Sequence, residues 1–430
     1  MTFGKLKDKV LKDSLYKNSF WAVLGNGTGN FLLLLSGIFI ARELGKDLYG
    51  EYGMVKTTMF TMATFATLAI GNTSTKFIAE YIQKDISCVR NIILTSLKIV
   101  LSFSLLMCAF LFVFSDAIAN FVNEPKLSTS FKVLGVIIVF RALNTVGAGI
   151  LGGFKDFKQV GINNIVSGIT MFALCIPLTR MFSISGAFVS LLTSQVCLCI
   201  LNVLFVLKRY KTIKESSSER FGKLILVFSF PFALNEFVYT VTAWGNSLIL
   251  TKYASLGDFG MYTACMQWNA IIMFMPGLLG NVILSYLSTS AVSSSQTHDK
   301  LINRMLMVNL VSTLIPLVVV AICSGFISDY YGQSFKGLDI ILLVAIWGTI
   351  FTCMSRVFES NLMSEGRRWT AFAISSSMYV VGFVAAFILL KTSNGYNAAF
   401  RMVVLSVFMS ALTFISYVTE YKWSKCHLHK

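Results

Sequence analysis

The sequence predicts an all-α, polytopic membrane protein of about twelve transmembrane helices, in two six-helix bundles related by a parallel internal repeat around a central cavity. Three observations predict it. Of the 430 residues, 55% are apolar and only 13% are charged, where a soluble chain carries about a quarter charged residues. The apolar residues gather in runs of about 20, the length that crosses a hydrocarbon core of roughly 30 Å. The basic residues sit in the short gaps between those runs.

That last pattern decides what the net charge of +16 means. A nucleic-acid partner is excluded, because such a protein displays its basic residues on one solvated face. Mean hydropathy is +0.72, and five prolines in the whole chain suit a helical protein.

Taken in order, residues 1–17 carry Lys5, Lys7, Lys9, Lys12 and Lys17, with Phe3, Leu6, Val10 and Leu15 at near-helical spacing. This predicts an amphipathic helix on the cytoplasmic interface rather than a cleaved signal. Spans follow at 18–41, 53–75, 91–114, 132–153, 162–181, 185–207, 223–250, 262–284, 303–324, 338–360, 370–390 and 396–419. In lipid the backbone must bond to itself, so each is a helix. The N-terminal bundle occupies 18–207, a basic cytoplasmic linker 208–222, the C-terminal bundle 223–420 and a cytoplasmic tail 421–430. Lysines and arginines number roughly 22 on the side of the termini against roughly 6 on the other, which places both termini in the cytoplasm. The densest basic cluster is Lys208, Arg209, Lys211, Lys214, Arg220 and Lys223, interleaved with Ser216, Ser217 and Ser218. No extramembrane segment exceeds about 20 residues, too short for a folded nucleotide-hydrolysing domain of at least about 50.

The two halves repeat at a shift of 210 residues: Ser19-Phe20 meets Ser229-Phe230, Arg42 meets Lys252, Tyr49-Gly50 meets Phe259-Gly260, and Tyr52 meets Tyr262. Six helices per half in one orientation imply a pseudo-twofold axis along the membrane normal, an architecture suited to alternating access.

Polar residues inside spans are costly and are the candidates for function. Arg141, mid-way along the fourth span with Asn144 and Ala148 on its face, suits an anionic group of a substrate, because a guanidinium grips phosphate bidentately. The bland alternative is an ion pair with a carboxylate on another helix. Lys98 and Lys56 line the same cavity or reach out to headgroups. Glu236, beside Asn235 and five residues after Pro231, is a mid-span carboxylate able to exchange a proton or cation. Its repeat equivalent is Asn26. Arg356 and Glu359, three apart, form a structural pair. Gly25-Asn26-Gly27-Thr28-Gly29-Asn30 lacks the strand and lysine of a phosphate loop and predicts close helix packing. Thr57, Thr61 and Thr64, and likewise Asn163, Ser167 and Thr170, make polar stripes that bind neighbouring helices or sugars. The nine cysteines lack a CxxC pair, and His298, His427 and His429 form no metal motif, so no metal or cofactor is expected.

Three segments carry a family resemblance. Ala41-Arg42-Glu43-Leu44-Gly45 with Tyr49-Gly50-Glu51-Tyr52, the stretch LAIGNTSTKFIAEY over 68–81, and GILGGFKDFKQVGIN over 149–163 resemble bacterial polysaccharide flippases. The wider group is the multidrug, oligosaccharidyl-lipid and polysaccharide exporter superfamily, and within it the sequence resembles an O-antigen repeat-unit flippase. The resemblance implies an inner-membrane protein that moves an undecaprenyl-pyrophosphate-linked oligosaccharide from the cytoplasmic to the periplasmic leaflet. It implies a lipid-linked substrate, membrane lipids, and a polymerase and chain-length regulator as partners, and leaves coupling to H+ or Na+ open. The alternatives are a cation-coupled multidrug exporter, a lipid II flippase and, from another class, a membrane-embedded polymerase.

Overall fold

The structure is a computed structural model describing residues 3–213, 221–277, 295–392 and 397–428, with side chains described from residue 25 onward except 228, 230–232, 235, 295–297 and 427–428. Those residues are helical but for short joints and one 3-10 turn, Gln333–Phe335. The helices are α1 Phe3–Thr67, α2 Ile70–Lys84, α3 Ile86–Phe121, α4 Leu127–Gly153, α5 Phe157–Thr212, α6 Gly222–Tyr253 and α7 Leu256–Ile272. They continue as α8 Ser295–Tyr331, α9 Leu338–Ser364, α10 Arg368–Thr392 and α11 Ala398–Leu428. Every expected span lies on helix, the eighth as far as residue 277 and the twelfth from residue 398. Seven of the described helices are long and apolar enough to cross a membrane. The protein is an all-α, multi-pass membrane protein. The linker residues Lys214, Ser216, Ser217, Ser218 and Arg220, and the side chains of the N-terminal lysines, His427 and His429, lie outside the described residues.

Two long helices each hold two spans. α1 breaks at Gly45, where φ is 72° and ψ 172°, between the first and second spans. A glycine takes this conformation without the steric cost a Cβ brings. α5 breaks at Ser183, with φ 50°, between the fifth and sixth. The second span breaks again at Leu68 and Ala69, with φ of 44° and 57°. Side chains disfavour that region by about 1–2 kcal/mol per residue, so neighbours must hold it. They do: the Thr75 hydroxyl donates to the Gly149 carbonyl at 2.7 Å. A Cβ on Gly149 would stand 2.3 Å from the Gly71 carbonyl oxygen, so α2 and α4 touch backbone to backbone.

Packing gathers the chain into two compact units, Met1–Leu44 with Met54–Thr240, and Gly45–Gly53 with Val241–Lys430. In the first, a core including Ile70, Ile92, Val146, Ile150 and Phe221 lies between α2, α3, α4 and α6. A Cβ on Gly25 would lie 2.2 Å from the Gly161 Cα. The glycine-rich segment therefore packs α1 closely on α5. The fifth-span stripe bonds to the sixth span: the Asn163 amide donates to Asn202 at 2.8 Å and the Ser167 hydroxyl to the Ser194 carbonyl at 3.1 Å. The second-span hydroxyls of Thr61 and Thr64 donate to carbonyls one turn back in their own helix. At the end of the sixth span, Arg209 of the basic cluster makes a bidentate pair with Asp156, at 2.6 and 2.5 Å.

The second unit contains the clearest trace of the repeat. A Cβ on Gly50 would meet the Leu256 carbonyl oxygen at 1.8 Å, and one on Gly260 would meet the Lys46 carbonyl oxygen at 2.0 Å. Residues 50 and 260 are 210 apart, as are 46 and 256, so the contact is reciprocal, as at a twofold axis. Tyr49 stacks near Tyr52 at 6.1 Å, and Phe259 near Tyr262 at 6.4 Å, in the same register. At the far ends of α8, α9 and α11, Asp299 accepts from Tyr421 at 2.6 Å and pairs with Lys425, and Arg367 pairs with Glu420.

Candidate functional site: a cation pair and a polar cavity

The first unit brings together two cations from different spans. Lys56 and Phe60 are one turn apart on α1 and share a face. The Arg141 guanidinium of α4 lies over the Phe60 ring, 4.9 Å from its centroid, within cation–π range. Lys56 and Arg141 are both half-buried. Arg141 is the charge that acts on Lys56, and neither residue belongs to a described ion pair. Two partly desolvated like charges repel. An anion between them would relieve that repulsion, and no described carboxylate does.

The same face of α4 leads away from the cations. The Thr145 hydroxyl donates to the Arg141 carbonyl at 3.1 Å, and Thr145, Ala148, Gly149 and Gly152 then wall a cavity of about 320 Å³. α2 supplies Gly71, Asn72 and Thr75 to it, the break supplies Ala69, and α1 supplies Asn26. The Asn164 amide donates to the Asn26 carbonyl at 2.5 Å, so the Asn26 amide nitrogen keeps its own donors. The left-handed break at Leu68 and Ala69 precedes α2, and Gly71 and Gly149, whose backbones touch, both line the cavity.

The candidates taken from sequence divide. Lys56 and Arg141 come together, outside the cavity lining, and Asn26 lines the cavity. Asn144 is buried and turned to the sixth span, its amide donating to the Gln195 backbone carbonyl at 2.9 Å and side chain at 3.2 Å. Lys98 is exposed on α3, and Glu236 is exposed on α6 beside Phe237, whose ring packs on Phe65 at 5.1 Å; neither lines the cavity. The side chain of Asn235 lies outside the described residues. On α9, Arg356 is exposed and Glu359 half-buried. Sequence alone missed Phe60, Asn72, Thr75 and Thr145. Phe60 had a signal, an aromatic one turn beyond a mid-span lysine. Among the described residues no group of histidines, cysteines and carboxylates is placed to hold a metal.

Polar groups gathered inside the spans of a multi-pass helical membrane protein mark a functional site, and the known proteins this chain matches are of the transporter class. Its fold is that of an inward-facing multidrug resistance transporter of the MATE family and MOP superfamily, at a TM-score of 0.78 and 14% identity over 93% of this chain and 96% of that one. It also matches the lipid II flippase MurJ in an inward closed conformation, at 0.73 and 13% over 93% and 87%. The chain belongs to the polysaccharide biosynthesis protein family, whose pattern residues 15–290 match. A Shigella flexneri protein named as an O-antigen transporter is 22% identical over 82% of this chain and 86% of its own length. The succinoglycan biosynthesis transport protein ExoT of Rhizobium meliloti is 23% identical over 59% of this chain and 50% of its own.

Proposed function

We propose that this transporter is a flippase that carries a saccharide linked to undecaprenyl pyrophosphate across the bacterial inner membrane, from the cytoplasmic to the periplasmic leaflet, for assembly into O-antigen or a similar surface polymer. The observation that carries the reading is the pair of half-buried cations, Lys56 and Arg141, with no described carboxylate paired to either. A guanidinium and an ammonium close enough to act on one another suit a pyrophosphate or an acidic sugar. A cationic drug would find only repulsion there, which disfavours the multidrug alternative. Family membership and the O-antigen transporter likeness support the saccharide. Two six-helix bundles, 18–207 and 223–420, joined by the basic linker 208–222, would alternate access, with both termini cytoplasmic.

Glu236 is the proposed coupling residue, a span carboxylate exposed on α6 with Asn235 beside it. A neutral Glu236→Gln variant is expected to lose any dependence of transport on pH or sodium; an unaltered dependence removes Glu236 from the account. Lys98 is proposed as an outlying cation on the substrate's route, and Arg356 with Glu359 as structural.

Deleting the gene in its native host tests the reading. Single lipid-pyrophosphate-linked repeat units should accumulate and surface polysaccharide should disappear, both reversed by the intact gene. Unchanged surface polysaccharide with new sensitivity to cationic drugs would establish the multidrug reading instead.

A further inference from the structure

We propose that the cavity beside the cation pair is a subsite for an uncharged sugar, about the size of one N-acetylhexosamine. The inference rests on the flippase reading and names what the site recognises beyond the phosphate. Its first support is that the lining contains no ionisable side chain: amides of Asn26 and Asn72, hydroxyls of Thr75 and Thr145, glycine backbone, and small or aromatic carbon surfaces such as Ala148 and Phe157. Such a lining neither attracts an anion nor compensates a cation. It does suit a ligand whose hydroxyls and amide need hydrogen bonds while its ring faces are apolar. Were the cavity to hold only lipid tails, the amide nitrogen of Asn26 and the amide of Asn72 would face them unpaired, which costs free energy in a low dielectric.

The second support is size: about 320 Å³ is at the lower end of small-molecule pockets and matches a single ring rather than a long oligosaccharide. The third is spacing. Thr145 lies one turn from Arg141 on the same face of α4, and Gly152 lies 11 residues from Arg141. At 1.5 Å rise per residue the cavity lining on α4 therefore runs from about 6 Å to about 16 Å along the helix axis beyond the Arg141 Cα. The sugar attached to a phosphate held by the Arg141 side chain is within reach of that stretch.

The full chain in lipid nanodiscs, titrated with undecaprenyl pyrophosphate and with the same lipid bearing one N-acetylglucosamine, tests the subsite. The wild type should bind the sugar-bearing lipid about tenfold tighter, the scale of one or two hydrogen bonds. Asn72→Ala removes an exposed amide, and Ala148→Leu fills the cavity; both should bring the ratio of the two affinities toward 1. Arg141→Ala should weaken both lipids and keep the ratio. A wild-type ratio near 1, or a ratio untouched by both cavity variants, overturns the subsite while leaving the anion site standing. Failure of either lipid to bind, or full affinity in Arg141→Ala, overturns the flippase reading and the subsite with it.

Discussion

Lys56 and Arg141, the proposed anion site, would work against the fold that carries them. Each is half-buried near the other, so their repulsion opposes folding until an anion arrives. Arg141→Gln should therefore raise the melting temperature, by about 1 kcal/mol of stability, while lowering transport at least about tenfold. Thermal melting in nanodiscs and a transport assay on the same preparation check the two halves; a variant that is both less stable and fully active would contradict the assignment. Arg141 stood out in the sequence because a charge in mid-span is costly, and the structure places it beside Lys56. Its neighbour Asn144 misled, because its amide, one residue before the cavity-lining Thr145, finds a partner in Gln195 on the sixth span instead. Sequence spacing gives the face of a helix but not which neighbour that face meets. Asp299 makes a different prediction. Burial raises its carboxyl, but Lys425 and Tyr421 outweigh that and hold it below the usual carboxylate range. Its contribution is thus complete above about pH 4 and is lost as pH falls through the depressed folded value. Melting curves should show an acid-sensitive component of about 0.5–1 kcal/mol that Asp299→Asn abolishes.

Two breaks and one crossing matter at the scale of elements. The break at Gly45 announces itself as a glycine between two apolar runs. The break at Leu68–Ala69 does not: both residues are good helix formers, and only the packing of α2 against α4 holds them left-handed. Ala69→Gly should relieve that backbone and stabilise the protein by up to about 1 kcal/mol, and Ala69→Val should destabilise it, as read from melting temperatures. At the crossing of Gly50 and Gly260, a side chain on either would collide with a carbonyl oxygen. Gly260→Leu should abolish folding into the membrane, while Gly325→Leu, where the added Cβ meets nothing within 4 Å, should be tolerated. Folded yield by size-exclusion chromatography separates the two. The repeat that predicted this kinship was visible in sequence as a short aromatic-glycine pattern; that the two copies touch was not.

For the whole molecule, hydropathy and the confinement of charge placed the spans well, because a bilayer imposes length and polarity more strictly than water does. The cavity was illegible, because it is walled by glycine, alanine, threonine and asparagine, residues that serve equally to pack helices. The proposed cytoplasmic termini rest on charge alone: Cys426, exposed near the end of α11, should then react with a membrane-impermeant maleimide in inside-out vesicles and not in intact spheroplasts. The most direct test of the central claim is a translocation assay in proteoliposomes, scoring how fast a labelled undecaprenyl-pyrophosphate-linked saccharide becomes accessible on the opposite face. The wild type should transport it, and a Lys56→Ala, Arg141→Ala double variant that still reconstitutes as folded protein should lose nearly all of that transport. Transport by that double variant at the wild-type rate would contradict the claim.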